Sequence, residues 1–224
     1  MDTKMEEKKI KHYSSHQKIL LVGEGDFSFS LSLAMAFGSA SNMVATSLDS
    51  KGVSGAHQHG FGLPQLSLIR NYSRASTNLA KLDNLGCTIV HEVDVHAMNM
   101  HPLLQTKCFD RIVFNFPHAG FVYREHDPTQ IVLHKCVVNG FLESARKMVA
   151  EDGEIHVTHK NAYPFCKWEV VTLAEEAKLF LVNKVPFDSW DYPGYSNKKG
   201  SGNRCDESFP VGDCSTFKFS KACM

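Results

Sequence analysis

Two short stretches of this sequence combine residue types and spacing that could do chemistry: Gly23-Glu24-Gly25-Asp26-Phe27-Ser28 and Asn115-Phe116-Pro117-His118. The first follows the apolar run Lys18-Ile19-Leu20-Leu21-Val22. Glycine between a buried strand and a helix lets a ligand approach bare main chain at a helix N-terminus, so the turn suits a nucleotide-like cofactor. Taken alone it could equally serve tight strand-to-helix packing. Asp49 ends the next apolar run, where a carboxylate can accept both hydroxyl hydrogen bonds of a ribose. Asp94, followed by Val95, ends the third, where an acceptor can meet the exocyclic amine of adenine. Each aspartate by itself reads as a turn or cap residue. Three such features at the ends of successive strands instead mark the edge at which open α/β sheets bind ligands. Ser28 stands where the dinucleotide fingerprint needs its last glycine, which argues against a nicotinamide or flavin dinucleotide.

These residues need a scaffold, and hydrophobic periodicity predicts one. Strands are expected over 18–22, 43–48, 88–93, 109–114 and 154–158, with helices over about 30–37, 73–84, 129–149 and 168–178. Two final strands, 179–185 and 216–219, have no helix between them and read as an antiparallel pair joined by a long loop. The fold class is therefore α/β and Rossmann-like: a mostly parallel seven-stranded sheet with a C-terminal antiparallel pair and helices on both faces. Residues 1–17 are polar and read as a flexible arm, and 18–221 as one domain. The Gly/Ser/His-rich stretch 51–70 reads as a loop insertion. Its His57 and His59 are an isolated H-x-H and are assigned no metal.

The chain has 224 residues with 43% hydrophobic content, which allows one full core. Its 24 lysines and arginines balance 24 aspartates and glutamates, so any RNA contact must come from a local patch. Seven cysteines without a C-x-x-C pair suggest reduced thiols and neither a disulfide framework nor a zinc site. No stretch has the length and apolarity of a membrane span, and the start lacks an apolar leader core, so a cytosolic or nuclear location is expected.

The sequences LLVGEGDFSFSLSLA (20–34), ATSLDS (45–50), YSRASTNLAKLDNLG…HEVDV (72–95), FDRIVFNFPHAG (109–120), HDPTQ (126–130), THKNAYPFCKW (158–168) and YPGYSNKKGSGNRCDESFPVGDCSTFKF (192–219) together resemble the 25S ribosomal RNA (uridine-N3)-methyltransferase-like family. NFPH also partly resembles the (Asn/Asp)-Pro-Pro-aromatic signature of base-modifying methyltransferases, with Phe116 for the first proline and His118 for the aromatic. The resemblance implies a class I methyltransferase fold, S-adenosylmethionine as methyl donor, and N3 of a uridine in large-subunit ribosomal RNA or a pre-ribosome as target. The location expected with it is nucleolus, nucleus or cytoplasm. It also implies that Gly23, Glu24, Gly25, Asp26, Phe27, Ser28, Asp49, Asp94, Val95 and Asn115 hold the cofactor, and that Asn115 and His118 face the target base.

Uridine N3 carries a proton that must leave before or during attack, so the site needs a base or a means of stabilising the uridine anion. Asn115 is expected to hydrogen-bond the uracil edge, and His118 to stack on it or relay the proton. For RNA, the expected surface is the loop in which Trp190, Tyr192 and Tyr195 interleave with Lys198, Lys199 and Arg204, with Lys160 and Trp168 in support. The competing readings are a catalytically silent domain that acts through partners, and a methyltransferase acting on a small molecule or a protein.

Overall fold

The computed structural model describes residues 6–51 and 68–221. Most of the 51–70 stretch, with His57 and His59, lies outside the described residues.

A short antiparallel hairpin, β1 (Lys9–Ile10) and β2 (Tyr13–Ser14), precedes the sheet. The main elements follow as β3 (Ile19–Val22), α1 (Ser28–Phe37), β4 (Met43–Thr46), α2 (Leu68–Asn71), α3 (Ala75–Asn84), β5 (Thr88–Val90), β6 (Phe109–Asn115), α4 (Pro128–Met148), β7 (Val149–Lys160), α5 (Val170–Glu176), β8 (Leu179–Pro186) and β9 (Cys214–Lys221). The sheet order is β5-β4-β3-β6-β7-β9-β8. Pairing is parallel from β5 through β7, and β9 runs antiparallel between β7 and β8. The expected α/β sheet with its antiparallel ending is therefore observed.

Alternation along the strands divides the core in two. Leu20, Val22, Ile112 and Phe114 face α4 and α5, where Phe141, Leu142 and Leu173 meet them. Ile19, Leu21 and Val113 face α1 and α3, against Phe29, Leu33 and Leu79. The chain turns back at the β3/β6 junction, which places the crevice of a doubly wound sheet between the ends of those two strands. Val22 pairs with Phe114 there, so Gly23 and Asn115 leave the sheet side by side.

Several expectations need correction. The supposed arm is partly structured: Tyr13 is buried, and its hydroxyl meets Nδ1 of His156 at 3.1 Å. The hairpin's one aromatic finds a polar partner inside the domain, which a polar composition hides. The second and third strands end at Thr46 and Val90, so Asp49 and Asp94 stand in the loops beyond rather than at strand ends. The fifth strand is longer than expected because the Gly153 turn is absorbed into a register irregularity opposite Phe109 and Arg111. The 168–178 helix starts later: Phe165–Trp168 is a 3-10 turn, and Glu169, at φ 53°, separates it from α5.

Candidate active site

The turn from Gly23 to Ser28 is built for a charged purpose. Gly23 has φ +68°, and a side chain there would run into the ring of Phe114, so bare backbone is required by conformation and by packing. The Glu24 carboxylate folds back onto α1, where the Ser30 N–H donates to it at 3.1 Å. The Asp26 carboxylate accepts from the Ser28 N–H at 3.0 Å. Two acids thus occupy the helix N-terminus, where the peptide dipole favours them. Burial pushes the Glu24 carboxyl up to about 7, against the hydrogen bond from Ser30. The Oδ2 atom of Asp26 is buried without a hydrogen bond, and the nearest cation, Lys198, stands 3.6 Å away. Phe27 is held at φ 62° and its ring is fully buried, so it offers main chain rather than side chain to a ligand. The Ser28 hydroxyl binds the backbone of Ser196 in both directions, at 3.0 and 3.2 Å.

Asp49 is half-buried, which raises its carboxyl, while a hydrogen bond with Asn71 opposes the rise. Its backbone carbonyl lies 3.3 Å from Nδ1 of His91. Asp94 is exposed and accepts from the His96 N–H at 2.9 Å, as a capping aspartate does; Val95 packs against the core. Asp49 is therefore the better enclosed of the two acids.

Across the crevice, Asn115 ends β6 with its side-chain oxygen buried and unpartnered. Phe116 takes φ 50°, and its ring packs edge-on against Phe187 and Phe209. A non-glycine residue held in that region is a strained conformation that the surroundings enforce. The His118 ring stacks on Phe121 at a 5.3 Å centroid distance, and its Nδ1 accepts the Gly120 N–H at 2.9 Å. An imidazole that accepts at Nδ1 carries its proton on Nε2. Burial, with His134 nearby, pulls the His118 pKa down to about 4, so the ring is neutral near pH 7.

The loop between β8 and β9 closes over both stretches. A side chain at Gly25 would lie 3.3 Å from Tyr72 and 3.4 Å from Lys198, and one at Gly200 would strike the His118 ring. The loop's cations are spent within the protein. Lys198 pairs with Asp206 at 2.7 Å, while Lys199 and Arg204 share Glu207 at 2.8 and 2.6 Å. Tyr192 is buried against Phe29 and Phe187, and only Trp190, 88% exposed, is presented to solvent. The expected open basic and aromatic surface is thus largely self-satisfied. Sequence reasoning placed the cations but not the carboxylates of Asp206 and Glu207 that neutralise them. Trp168 is likewise unavailable, being buried between the rings of His134 and His159 at 4.1 and 4.3 Å. Lys160 is partly buried over the rings of Phe165 and Phe209, which lowers its pKa.

Sequence reasoning missed Gln130 and His134 on α4. Both are fully buried and hold the backbone that follows His118. A glutamine and a histidine four residues apart on an otherwise apolar helix face were the available signal.

Among the described residues no group of histidines, cysteines and acids could hold a metal, and no helix is long and apolar enough to cross a membrane.

A family model described as rRNA (uridine-N3-)-methyltransferase, BMT5-like, matches residues 20–199. The chain is 51% identical to the Arabidopsis thaliana protein At4g26485, over 96% of this chain and 98% of that one. It is 48% identical to the Arabidopsis heavy metal-associated isoprenylated plant protein 41, covering 96% of this chain but only 39% of the relative's length. The Saccharomyces cerevisiae 25S rRNA (uridine(2634)-N(3))-methyltransferase is 23% identical, over 88% of this chain and 70% of the yeast protein. Among solved structures, a TehB-like SAM-dependent methyltransferase from Corynebacterium glutamicum superposes with a TM-score of 0.50 at 18% identity, covering 92% of this chain and 80% of its own. That likeness establishes the fold.

Proposed function

The chain belongs to the BMT5-like rRNA (uridine-N3-)-methyltransferase family, and from that premise we propose that it methylates N3 of a uridine in large-subunit ribosomal RNA with S-adenosylmethionine as donor. The observation that supports this most directly is the pairing, at the β3/β6 junction, of an acidic glycine turn with Asn115. The Asn115 side-chain oxygen is buried without a partner, and Oδ2 of Asp26 is buried without a hydrogen bond, with only the Lys198 ammonium 3.6 Å away. Acceptors without donors inside a protein are costly unless a ligand completes them.

The residues present fit the cofactor. Asp26, with Glu24 behind it, suits the ammonium of the methionyl group; Asp49 suits the ribose hydroxyls; Asp94 and Val95 lie beyond β5, on the side where adenine is expected. Bound there, the sulfonium supplies an electrophilic methyl group. The protein's own tasks are to orient the base, exclude water and manage the N3 proton. The Asn115 side-chain oxygen accepts from N3–H and fixes the nitrogen's direction. His118, neutral and protonated at Nε2, serves as a donor toward a uracil carbonyl and stabilises the negative charge that develops when N3 gives its proton to solvent water, before the methyl group takes the vacated position on the nitrogen. A ring with Nδ1 already engaged by Gly120 is better suited to donation than to acting as a base.

The location consistent with this reading is nucleolus, nucleus or cytoplasm, where pre-ribosomes are assembled. The test is transfer of tritiated methyl from S-adenosylmethionine to total RNA from cells lacking the protein, followed by nucleoside analysis. Label in 3-methyluridine from the large-subunit RNA is the expected result. Label only in protein or small molecules would replace the reading.

A further inference from the structure

The loop after His118 is rigid on its inner side and apolar on its outer side. Gln130 accepts from the N–H groups of Val122 and Tyr123 at 3.1 and 2.8 Å and donates to the Gly120 carbonyl at 2.7 Å. His134 accepts from the Ala119 N–H at 3.0 Å, which places its own proton on Nε2, toward the Glu125 carboxylate at 3.4 Å. Four backbone groups of one short loop are therefore held by two fully buried side chains.

What this framework presents to solvent is unusual. Phe121 is 48% exposed, Val122 69% and Tyr123 50%. Arg124 follows, also exposed, and no carboxylate among the described residues pairs with it. The same loop touches the candidate site directly, because Phe121 stacks on the His118 ring. Large apolar side chains on a hydrogen-bonded loop lose little conformational freedom when something binds them. An unpaired guanidinium beside them favours an anionic partner.

Resting on the methyltransferase reading above, we propose that Phe121, Tyr123 and Arg124 form a binding site for single-stranded RNA next to the target nucleotide. The two rings take unpaired bases, and the guanidinium takes a phosphate. The contrast with the β8–β9 loop carries the argument: there every one of the three cations is paired with a carboxylate, Lys199 and Arg204 sharing Glu207, whereas here Arg124 is unpaired among the described residues and both rings keep about half their surface in solvent. A uridine can present N3 only when unpaired, so a platform for unpaired neighbours belongs beside it.

The test measures anisotropy of a fluorescein-labelled 12-nucleotide oligouridylate, with binding of S-adenosylhomocysteine by calorimetry as a check on the fold. Wild type is expected to bind the oligonucleotide. Phe121→Ala with Tyr123→Ala should weaken it at least tenfold, and the aromatic exchanges Phe121→Tyr and Tyr123→Phe should retain it. Arg124→Ala should flatten the dependence on salt by somewhat less than one counterion. S-adenosylhomocysteine should bind all variants as it binds wild type, because its site lies on the other side of Asn115. Equal oligouridylate affinity in wild type and the double alanine variant would overturn the proposal and mark the patch as a surface for protein. That result would leave methyl transfer to ribosomal RNA intact, whereas absence of transfer by wild type would remove the methyltransferase reading itself.

Discussion

The Nδ1 atom of His118 accepts the backbone N–H of Gly120 at 2.9 Å. The ring is thereby committed to the tautomer that donates from Nε2, and its lowered pKa of about 4 keeps it neutral under physiological conditions. His118→Phe preserves the stack on Phe121 but has no donor, so kcat should fall about 10- to 100-fold with cofactor affinity unchanged. The wild-type rate profile should show no inflection from this residue between pH 5.5 and 7.5. Near-normal turnover in His118→Phe would reduce the histidine to a stacking surface.

Asn115 makes a second, separable contribution. Its oxygen is buried and unpartnered at the end of β6, while the acids assigned to the cofactor lie on the β3, β4 and β5 side. Asn115→Ala should lower kcat about 100-fold and change S-adenosylhomocysteine affinity less than threefold in calorimetry. Wild-type turnover in that variant would make the NFPH segment an ordinary turn.

Much of this was legible in the sequence because the strands of the main sheet and the longer helices are apolar runs or have an apolar period, and because Gly23, Gly25 and the NFPH run interrupt that pattern at the sheet edge. The antiparallel ending was legible from two β-rich runs with no helix between them. What escaped was tertiary. Tyr13 lies in a polar stretch, and only the partner oriented toward it, His156, explains its burial. Trp168 reads as a surface aromatic until His134 and His159 close on it. Lys198 reads as a free cation until Asp206 and Asp26 are found beside it. Local composition carries the periodicity of an element, but not which distant side chain will pair with a given charge or ring.

The cofactor assignment predicts a difference between two kinds of damage. Gly25→Arg would collide with Tyr72 and Lys198, displacing the loop that covers the turn. It should abolish S-adenosylhomocysteine binding and lower the Tm. Asp49→Ala removes a half-buried carboxylate whose raised pKa reflects desolvation, so it should weaken binding at least tenfold with little loss of Tm. Wild-type affinity in both variants would move the cofactor elsewhere.

Glu207 neutralises Lys199 and Arg204 together, at 2.8 and 2.6 Å. If the β8–β9 loop faces RNA, releasing those cations should strengthen attraction to phosphate. Glu207→Gln should raise oligouridylate affinity at low salt and steepen the salt slope by about 0.7 for each cation that engages a phosphate. An unchanged slope, measured between 50 and 200 mM salt on the scale of the usual titration, would remove this loop from the RNA surface.

The buried histidines predict how the fold responds to acid. Burial, the largest cause for each, lowers His12 to about 3 and His118, His156 and His159 to about 4, well below the ordinary value near 6.5. His156 shows why the neutral form is preferred: Tyr13 meets Nδ1 and the Glu154 carboxylate meets Nε2, so one donor and one acceptor already satisfy the ring. Between about pH 6.5 and 4 the unfolded chain takes up protons that the native chain refuses. The stability from these groups is therefore complete above 6.5 and is lost as pH falls toward 4. Glu24 acts with the opposite sign: its carboxyl, raised to about 7, favours the folded chain at low pH and costs stability as pH rises from 4.5 through 7. Four histidines outweigh one glutamate, so the Tm should drop by at least about 10 °C between pH 7 and 4.5 in scanning calorimetry. His156→Gln, which removes one of the four titrations, should reduce the size of that drop while lowering the Tm at pH 7. A wild-type Tm that stays level across the interval would mean that these rings protonate without disturbing the fold.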